Sequence, residues 1–434
     1  MHQTENRTGD GALKPQFYRR DTCRLCGSRD LKLVLSLCPA PPVDAYVPAE
    51  RLGETQKTFP LDLFLCLACG HAQLLDVVPP DILFGNYIYV TTSSPGLVEH
   101  FRKYATVVLD RLTPPRSSLV IEIGSNDGTL LGFFREAGLR TLGIDPAADI
   151  ARKASESGLE TIPAYFGSDL ARDIRDSRGT AAIVCANNVF AHMDDLGDVA
   201  DGVRTLLATD GVFVFEVHYL LDLIDEMAFD FIYHEHLCYH SVKPLDSFLR
   251  RHDMELIDVE RVPTKGGSIR CFAQPLGGPR STAPAVDQLK ATETTYGLDR
   301  PEIFESFRSR IDEIKNALHD RIEEFEAQGK SIAGYGASAT VTVLIHHFDL
   351  GNKIQFLVDD NVAKQNLFSP GHHIPVLPPQ AIYDRKPDYL LVLAWRFRDM
   401  IVRKHQAYVE SGGQFIVPLP GIEVIPEASL SDRD

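Results

Sequence analysis

The strongest constraint on the fold is one stretch in the first half of the chain, residues 120–133, which reads VIEIGSNDGTLLGF. The apolar run 119–123 predicts a buried strand, and Gly124 permits the sharp turn that follows it. Three residues that can cap a helix come next, namely Ser125, Asn126 and Asp127. After Gly128 a helix continues, so the stretch favours a nucleotide site, because backbone N–H groups at a helix N-terminus face the ligand.

Two acids indicate which nucleotide this stretch can bind. A second apolar strand ends on Asp145, followed by Pro146, about 20 residues past the glycine turn, where such folds bind a ribose diol. Glu122 stands before Gly124, and the resulting ExGxxxG pattern lacks the GxGxxG spacing that brings the backbone onto a dinucleotide pyrophosphate. The pattern fits a ligand with a cationic amino-acid end and an adenosine end, S-adenosylmethionine. An ordinary strand–turn–helix is the alternative.

Bulk properties exclude several classes of partner. A chain of 434 residues has room for about three domains. Its formal net charge of −16 argues against nucleic acid, because binding to a phosphate backbone needs a basic face. The first residues lack an apolar core and no run of about 18 apolar residues follows, so we expect no membrane partner and a cytoplasmic location. The oligomeric state is not defined by the sequence, and a monomer is compatible with it.

Four cysteines form two CxxC pairs, each followed by glycine. They are Cys23, Cys26, Cys66 and Cys69. Two such pairs present four thiolates in the tetrahedral arrangement that zinc takes in closed structural sites. Two alternatives to zinc are a pair of disulfides and a redox CxxC. Disulfides are rare in cytoplasmic proteins. Because four thiolates leave no open coordination position, the predicted zinc is structural.

Strands and helices alternate after this point, which predicts a doubly wound parallel sheet. Further strands are expected at 159–162, 182–185 and 211–217. Ligands of such sheets lie at the carboxyl ends of the strands. Asn187, Asn188 and His192 follow the fourth strand and therefore fall at the predicted site. His192 fits an ordinary buried histidine equally well.

The densest group of ionisable side chains reads YHEHLCYH, residues 233–240. It is not the zinc-protease motif HExxH, because Cys238 stands where the second histidine is required. His236 and His240 have the spacing to share a metal on a helix, but no third ligand is near. The segment instead offers a general base, a carboxylate to orient it and a phenol to share a proton, namely His236, Glu235 and Tyr233.

Three other segments hold candidate binding residues. Tyr87 and Tyr89 precede the nucleotide domain, where they fit either strand packing or a lid over the pocket. Lys265 precedes two glycines and a strand that is expected to close the sheet as an antiparallel hairpin. Gly336 and Ser338, in GYGASA, open a second and smaller α/β unit, whose lone GxG is a weak signal for nicotinamide binding.

Taken together, these motifs resemble those of the three-domain sugar C-methyltransferases. The CxxC pairs, EIGSNDGTLL, NNVFAHMDD, YHEHLCYHS, GGSxR, GYGASA and VDDNVAKQNLFSPGHHIPV occur in the order of that family, over residues 18–420. Members methylate nucleotide-linked keto-sugars. The resemblance implies an α/β protein with a zinc-binding module at 18–80, a class I methyltransferase-like Rossmann domain for S-adenosylmethionine at 81–280, and a C-terminal Rossmann-like α/β domain at 281–430 that helps to bind the sugar nucleotide.

The resemblance also implies roles for individual residues. It makes His236 the base, with Glu235 and Tyr233 beside it, and places His192 and Tyr87 at the sugar. Candidates for substrate binding are Tyr89, Lys265, Gly336 and Ser338. Candidates for donor binding are Glu122, Gly124, Ser125, Asn126, Asp127, Gly128, Asp145, Pro146, Asn187 and Asn188.

Two positions depart from the family pattern, and two other functions stay open. Thr340 stands where many members have lysine, and Lys265 stands where many have histidine. The loss of a cation at Thr340 weakens the expectation of a diphosphate near GYGASA, and whether Lys265 compensates for it is left open by the sequence. O- or N-methylation of a small molecule on the same scaffold needs a base less. A zinc-bearing binding protein with a decayed donor pocket is disfavoured, because the acids and glycines of the donor loop are intact.

Overall fold

The structure, a computed structural model, describes residues 6–7, 13–14, 17–84, 90–93 and 96–425. Tyr87 and Tyr89 lie outside the described residues. In chain order the strands are β1 Asn6–Arg7, β2 Leu13–Lys14, β3 Tyr18–Arg19, β4 Leu31–Ala40, β5 Phe59–Cys66, β6 Ala72–Leu74, β7 Asp76–Val77, β8 Leu119–Ile123, β9 Arg140–Ile144, β10 Thr161–Ile162, β11 Ala181–Asn187, β12 Leu207–His218, β13 Cys238–Tyr239, β14 Met254–Val262, β15 Ser268–Pro275, β16 Ile332–Tyr335, β17 Leu357–Val358, β18 Val376–Leu377, β19 Tyr389–Val392, β20 Gln414–Val417 and β21 Glu423–Ile425. The α-helices are α1 Pro80–Phe84, α2 Leu97–Leu112, α3 Thr129–Glu136, α4 Ala148–Glu156, α5 Ser168–Arg178, α6 Leu196–Leu206, α7 Leu220–Asp225, α8 Val242–Arg251, α9 Pro284–Tyr296, α10 Pro301–Ala327, α11 Ala339–His347, α12 Ala381–Arg385, α13 Arg398–Lys404 and α14 Gln406–Glu410.

The N-terminal module is built on an antiparallel sheet in the order β13–β6–β5–β4. In β5, fully buried residues alternate with partly exposed ones, as expected for a strand with one face in a core. The edge strand β13 comes from the far side of the sequence, where Cys238 and Tyr239 pair with Gln73 and Ala72. The module is therefore joined to the central part of the chain by a backbone pairing just after the YHEH segment.

The two CxxC pairs fold into matching turns at one end of this sheet. Gly27 and Gly70, with φ of +72° and +81°, donate their N–H to the carbonyls of Cys23 and Cys66 at 2.9 and 2.8 Å. All four sulfur atoms lie within 4.8 Å of one another, with Sγ–Sγ distances of 3.7 Å for one pair and 3.5 Å for another. A tetrahedral site with Zn–S bonds of about 2.3 Å requires separations of about 3.8 Å. The four thiols therefore fit zinc.

The described part of the chain contains no second group of histidine, cysteine and acidic side chains arranged to hold a metal ion. His236 and His240 are not on a helix, because β13 lies between them. The metal site considered for that pair in the sequence is therefore not formed.

The central sheet has seven strands in the order β10–β9–β8–β11–β12–β15–β14. The first five run parallel, and β15 is antiparallel to both of its neighbours. Val120 of β8 faces one hydrophobic core, and Ile121 and Ile123 face the other. Both faces of the strand are covered, which explains why every residue of the strand other than Glu122 is apolar. The predicted doubly wound sheet is confirmed, and the strand order reverses between β8 and β11, where ligands of such sheets bind.

The C-terminal part of the chain forms a second parallel sheet in the order β18–β17–β16–β19–β20–β21, with β21 antiparallel at its edge. The long helix α10 leads into it. The helix α11 packs against β4 of the N-terminal module. The predicted smaller α/β unit is thus confirmed. None of the helices that the structure describes has the length and apolar character needed to cross a membrane.

Replacing a zinc ligand is expected to unfold the N-terminal module. We predict that purified protein contains about one zinc ion per chain and that Cys66→Ser loses it, because metal binding supplies folding free energy in such small modules. Elemental analysis and thermal unfolding measure both effects. Cys38→Ser is the matched control, because Cys38 lies in β4 outside the four-thiol group and should keep its zinc. A folded, zinc-free Cys66→Ser protein with wild-type Tm would contradict the prediction.

Candidate active site

The glycine turn after β8 needs both of its glycines. Gly124 has φ +69°, and a Cβ atom there would lie 2.4 Å from Cγ1 of Val189. Gly128 has φ +77°, and a Cβ atom there would lie 2.7 Å from Cδ1 of Leu159. The turn is anchored to the next strand by the N–H of Gly124, which donates to the carbonyl of Ile144 at 2.7 Å. Any side chain at either glycine would therefore open the loop.

The three residues expected to cap α3 act differently in the structure. Gly128 occupies the N-cap position, and only Asp127 contributes, by accepting the N–H of Thr129 at 3.1 Å. Asn126 and Asp127 accept the N–H groups of Thr91 and Thr92 at 2.9 and 3.0 Å. Ser125 packs against Gly143 of the neighbouring strand. Gly128 therefore occupies the helix N-cap, and the side chains of Asn126 and Asp127 hold the turn at 91–93 at the carboxyl end of the sheet.

Glu122 is a buried carboxylate without a full set of partners. It is 3% exposed, and its Oε2 atom makes no hydrogen bond within the described part of the protein. Burial raises its pKa well above the ordinary value, and the nearby charges of Asp127 and Asp145 raise it further. A positively charged group of a ligand would stabilise the ionised form of Glu122, because an opposite charge favours the ionised carboxylate.

Asp145 lies at the end of β9 and is held by the backbone. Its two oxygens accept the N–H groups of Asn126 and Ala147 at 2.8 and 2.9 Å. Burial raises the pKa of this carboxyl group, and the two backbone hydrogen bonds oppose that shift. Pro146 follows directly, so the carboxylate has a fixed position between the first two strands.

Two asparagines complete this end of the sheet. Neither the amide nitrogen nor the oxygen of Asn187 has a partner among the described residues, although the side chain is 6% exposed. Asn188 has φ +57°, and its N–H donates to the carbonyl of Glu216 at 2.8 Å. Buried polar groups normally find hydrogen bonds. The unpartnered amide and carboxylate at the switch point therefore fit a ligand with a cationic end and several hydrogen-bonding groups, as S-adenosylmethionine is.

His236 has a defined tautomer and lies against His192, which follows β11, and His218, which ends β12. Its Nδ1 atom is 2.8 Å from the carbonyl oxygen of Phe231, so Nδ1 carries the proton, and Nε2 bonds with none of the described residues. Burial lowers its pKa well below the ordinary value, with further effects from His192 and His218. The ring is therefore neutral near pH 7, with a lone pair on Nε2 that can accept a proton.

Aromatic side chains surround this imidazole. The ring centroids of Tyr233, His192 and His218 lie 4.0, 4.9 and 5.0 Å from that of His236. Burial lowers the pKa of His192 to about 3, and the charge of Lys265 contributes to that shift. The structure thus brings three of the sequence candidates together at the carboxyl ends of β11 and β12.

Glu235 does not orient the imidazole, contrary to the expectation from sequence. Its carboxylate makes no hydrogen bond to His236 in the described structure, because the Phe231 carbonyl occupies the Nδ1 position. Burial raises the pKa of Glu235 to about 8. Lys265 adopts a left-handed backbone conformation with φ +51° before Gly266, and its side chain reaches solvent. The surrounding protein nevertheless removes enough water to lower the pKa of Lys265 to about 8.

The other two histidines of residues 233–240, His234 and His240, have packing roles. His234 contacts the N-terminal module, where its Nε2 lies 3.2 Å from the carbonyl of Phe59. The ring of His240 stacks on Phe190 and lies 5.4 Å from that of His71. The ring partners of these two histidines therefore differ from those of His236, which lies against His192 and His218.

Sequence reasoning missed three residues of the site. His218 ends β12, and its position after the fifth strand was a usable signal. Glu216 is 0% exposed and bonds Arg270 at 2.7 Å and the Nε2 atom of His100 at 2.8 Å. The backbone carbonyl of Phe231 leaves no trace in a side-chain pattern, so nothing in the sequence could identify it.

The glycine turn of the C-terminal sheet repeats the arrangement of the first. Gly336 has φ +113°, and a Cβ atom there would lie 2.9 Å from Cβ of Ala394. The N–H of Ala337 donates to Asp359 at 2.6 Å, just as the first turn donates to Asp145. Ser338 begins α11, with its hydroxyl 3.0 Å from that of Thr340. This turn lies apart from the imidazole group, on the second sheet.

Three family models match consecutive parts of the chain. They are a zinc binding domain over residues 23–84, a methyltransferase domain over 98–259 and the C-methyltransferase C-terminal domain over 263–420. C-methyltransferase NovU of Streptomyces niveus is 36% identical over 410 residues, which cover 94% of this chain and 98% of that protein. The chain belongs to this C-methyltransferase family. The C-methyltransferase uses S-adenosylmethionine as methyl donor and holds structural zinc on its four-cysteine module.

Solved structures of other methyltransferases also align with the C-methyltransferase. The CcbJ methyltransferase of Streptomyces caelestis has a TM-score of 0.34 and 12% identity, covering 43% of this chain and 95% of that one. Magnesium protoporphyrin IX methyltransferase of Synechocystis PCC 6803 has a TM-score of 0.33 and 15% identity, covering 44% and 89%. At TM-scores this low the fold assignment rests on the strand order given above and not on these alignments.

Neutralising Glu122 should stabilise the free protein while weakening donor binding. Because burial raises the folded-state pKa of Glu122, the folded protein binds more protons than the unfolded chain above about pH 4.5, so Glu122 lowers the stability of the folded state as the pH rises above that value. We expect Glu122→Gln to raise the Tm at pH 7.5, where each 1 kcal/mol corresponds to about 2–4 °C. Calorimetry should show S-adenosylmethionine binding weakened roughly 10- to 100-fold, the equivalent of about 1.5–3 kcal/mol for a hydrogen bond to a charged group.

The exposed Glu156 on α4 provides the control for this experiment. Its side chain is 62% exposed and pairs with Arg152, so Glu156→Gln should change neither quantity by much. The Tm difference between Glu122→Gln and wild type should shrink as the pH falls toward 4.5, because wild-type Glu122 then becomes protonated. A lower Tm in Glu122→Gln together with unchanged donor affinity would refute the assignment.

Proposed function

We propose that this C-methyltransferase methylates the carbon next to the ketone of a nucleotide-linked keto-sugar. The observation that carries the proposal is the hydrogen bond from Nδ1 of His236 to the Phe231 carbonyl, which leaves Nε2 as an acceptor beside the donor pocket. A C–H bond does not attack a methyl sulfonium unaided, and a neighbouring ketone is what makes it acidic enough for an imidazole. O- or N-methylation would not need such a base.

In the proposed mechanism Nε2 of His236 takes the proton from the substrate carbon. The resulting enolate carbon would then bond to the methyl carbon of the donor as the methyl–sulfur bond breaks, and S-adenosylhomocysteine would leave with the bonding electron pair on sulfur. The donor supplies an electrophilic methyl group on a sulfonium. General base catalysis contributes roughly 10²–10⁴-fold to such a step. The low pKa of His236 keeps the ring unprotonated at the start of each turnover. After transfer, the proton on the imidazole leaves to solvent.

The enolate oxygen needs a donor, and the residues around His236 can provide one. Tyr233 contacts the imidazole directly, and His192 lies on its other side. We assign these two, with Tyr87, to the sugar and its developing oxyanion. Lys265 adds a cation whose influence already reaches both histidines. Glu235, with its pKa raised to about 8, is assigned to a hydroxyl of the substrate instead of to the base.

The donor is assigned to the carboxyl ends of the first strands. Glu122 would accept from the amino group of its amino-acid end, and Asp145 from its ribose hydroxyls. The loop and asparagine residues would line the remainder, namely Gly124, Ser125, Asn126, Asp127, Gly128, Pro146, Asn187 and Asn188. With the donor held in this way, its sulfonium would face the end of β12, where His218 and His236 lie.

The sugar nucleotide is assigned to the space between the central and C-terminal sheets. Candidate contacts are Tyr89, Lys265, Gly336 and Ser338. The N–H of Ala337 is engaged by Asp359, and Thr340 supplies no charge, so a diphosphate there would rely on the amides at 338–340. We accordingly assign residues 18–80 to zinc binding, 81–280 to methyl transfer and 281–430 to the nucleotide end of the substrate.

Product analysis tests the substrate class directly. Incubation with S-adenosylmethionine and a panel of nucleotide-linked keto-sugars should yield a product that is 14 mass units heavier, with the new methyl group on carbon. A methyl group on oxygen or nitrogen would reject the proposal. Turnover of the free sugars at the same rate as the nucleotide-linked ones would reject the assignment of residues 281–430.

Replacing the base should abolish two measurable reactions. Wild-type protein with S-adenosylhomocysteine should exchange the hydrogen beside the ketone in D₂O, and His236→Gln should not. We expect turnover to fall roughly 10²–10⁴-fold with donor affinity unchanged. The acidic limb of the wild-type kcat/KM profile should lie below pH 6.5, because the pKa of His236 is lowered. His234→Gln is the control, because His234 contacts the N-terminal module, and it should exchange like wild type. Normal exchange in His236→Gln would show that His236 is not the base, and His192 would be the next candidate.

A further inference from the structure

Three consecutive buried residues, Phe229–Phe231, connect the C-terminal sheet with His236. They form a 3-10 turn between α7 and the YHEH segment. The ring of Phe229 lies 5.4 and 5.2 Å from those of His347 and Phe348, at the end of α11. The turn is thus inserted into the C-terminal domain, although its sequence position places it in the central one.

Asp230 is the centre of this contact. It is 0% exposed and accepts the indole N–H of Trp395 at 3.0 Å. Its other oxygen accepts Nη2 of Arg396 at 2.7 Å. A buried carboxylate that loses such a partner is left uncompensated, which is strongly unfavourable. The position of this turn is therefore coupled to the position of Arg396.

Arg396 also holds the next residue of the turn. Its guanidinium carbon lies 4.1 Å from the ring centroid of Phe231, a cation–π contact. Gly266 makes room for it, since a Cβ atom there would lie 2.7 Å from Nε of Arg396. Phe231 is the residue whose carbonyl accepts the Nδ1–H of His236. Arg396 of the C-terminal domain therefore contacts the residue that carries this carbonyl, Phe231, and the residue before it, Asp230.

We infer that Arg396 is a positioning residue for His236, acting through Asp230 and the Phe231 carbonyl. If that carbonyl moves, Nδ1 loses its acceptor and the two neutral tautomers become closer in energy. The tautomer with the proton on Nε2 cannot take a proton from substrate. The C-terminal domain then contributes to proton abstraction as well as to substrate binding, and this inference rests on the proposed function only for the role of His236 as base.

Two conservative variants test the inference, one at each member of the buried ion pair. Arg396→Lys keeps a cation but loses the two-point contact and the planar stack. Asp230→Asn keeps the shape of the carboxylate. Arg398→Lys is the matched control, because Arg398 pairs with Glu423 at 2.8 Å on the same domain and does not contact the turn. Thermal unfolding confirms that each variant is folded before it is compared.

The decisive readout is the protonation of the His236 ring, observed by ¹⁵N NMR on histidine-labelled protein and assigned with His236→Gln. Wild type and Arg398→Lys should show the proton on Nδ1. Arg396→Lys and Asp230→Asn should show mixed tautomers, with kcat lowered roughly 10- to 100-fold and donor affinity unchanged. In the double variant the two losses should not add, because the residues act as one unit.

Two results would overturn the inference. One is a wild-type ring protonated on Nε2, which needs no variant at all. The other is an unchanged Nδ1 tautomer in a folded Arg396→Lys or Asp230→Asn protein, whatever its activity. Failure of the proposed function is separate: His236→Gln would then retain turnover while the tautomer still responded to Arg396.

Discussion

The backbone of residues 237–240 is hydrogen bonded on two sides, and the arrangement of the site depends on it. On one side the N–H of Leu74 donates to the carbonyl of Leu237 at 3.0 Å, as part of the zinc-module sheet. On the other, the N–H groups of Leu237 and Cys238 donate to the carbonyl of Ala191 at 2.9 and 3.1 Å. His236 directly precedes this segment and His192 follows Ala191. The sheet of the zinc module is therefore connected through backbone hydrogen bonds to the two segments that carry these rings.

The proposed donor pocket contains buried polar side chains whose hydrogen-bonding groups have no partners among the described residues. The Oε2 atom of Glu122 and the amide of Asn187 have no partners among the described residues, although both side chains are buried. Such groups reduce the stability of the free protein. They lie where the strand order of the central sheet reverses, which is where a ligand can supply what is missing. This conflict between stability and binding is common at functional sites.

Ion pairs and aromatic rings link the C-terminal domain to the imidazole group. Asp230 is far in sequence from the adjacent residues Trp395 and Arg396, and the three form one buried contact. The same turn places the Phe231 carbonyl against His236. A backbone carbonyl, and not the adjacent Glu235, therefore selects the tautomer of the ring. Glu235, the residue next to His236 in sequence, lies in a turn that is closed by a hydrogen bond from the His236 N–H to the Tyr233 carbonyl at 2.9 Å.

The sequence by itself determined the elements whose signals are local. The apolar run at 119–123, the ExGxxxG turn, Asp145 after the second strand and the two CxxC pairs each constrain a few neighbouring residues, and the structure forms the predicted strand, turn and sulfur cluster. Tertiary structure decided which of three histidines in 234–240 lies at the pocket, how His218 joins it and which carbonyl orients it. Those outcomes depend on contacts between residues far apart in the chain, and no periodicity or motif in a single sequence records them.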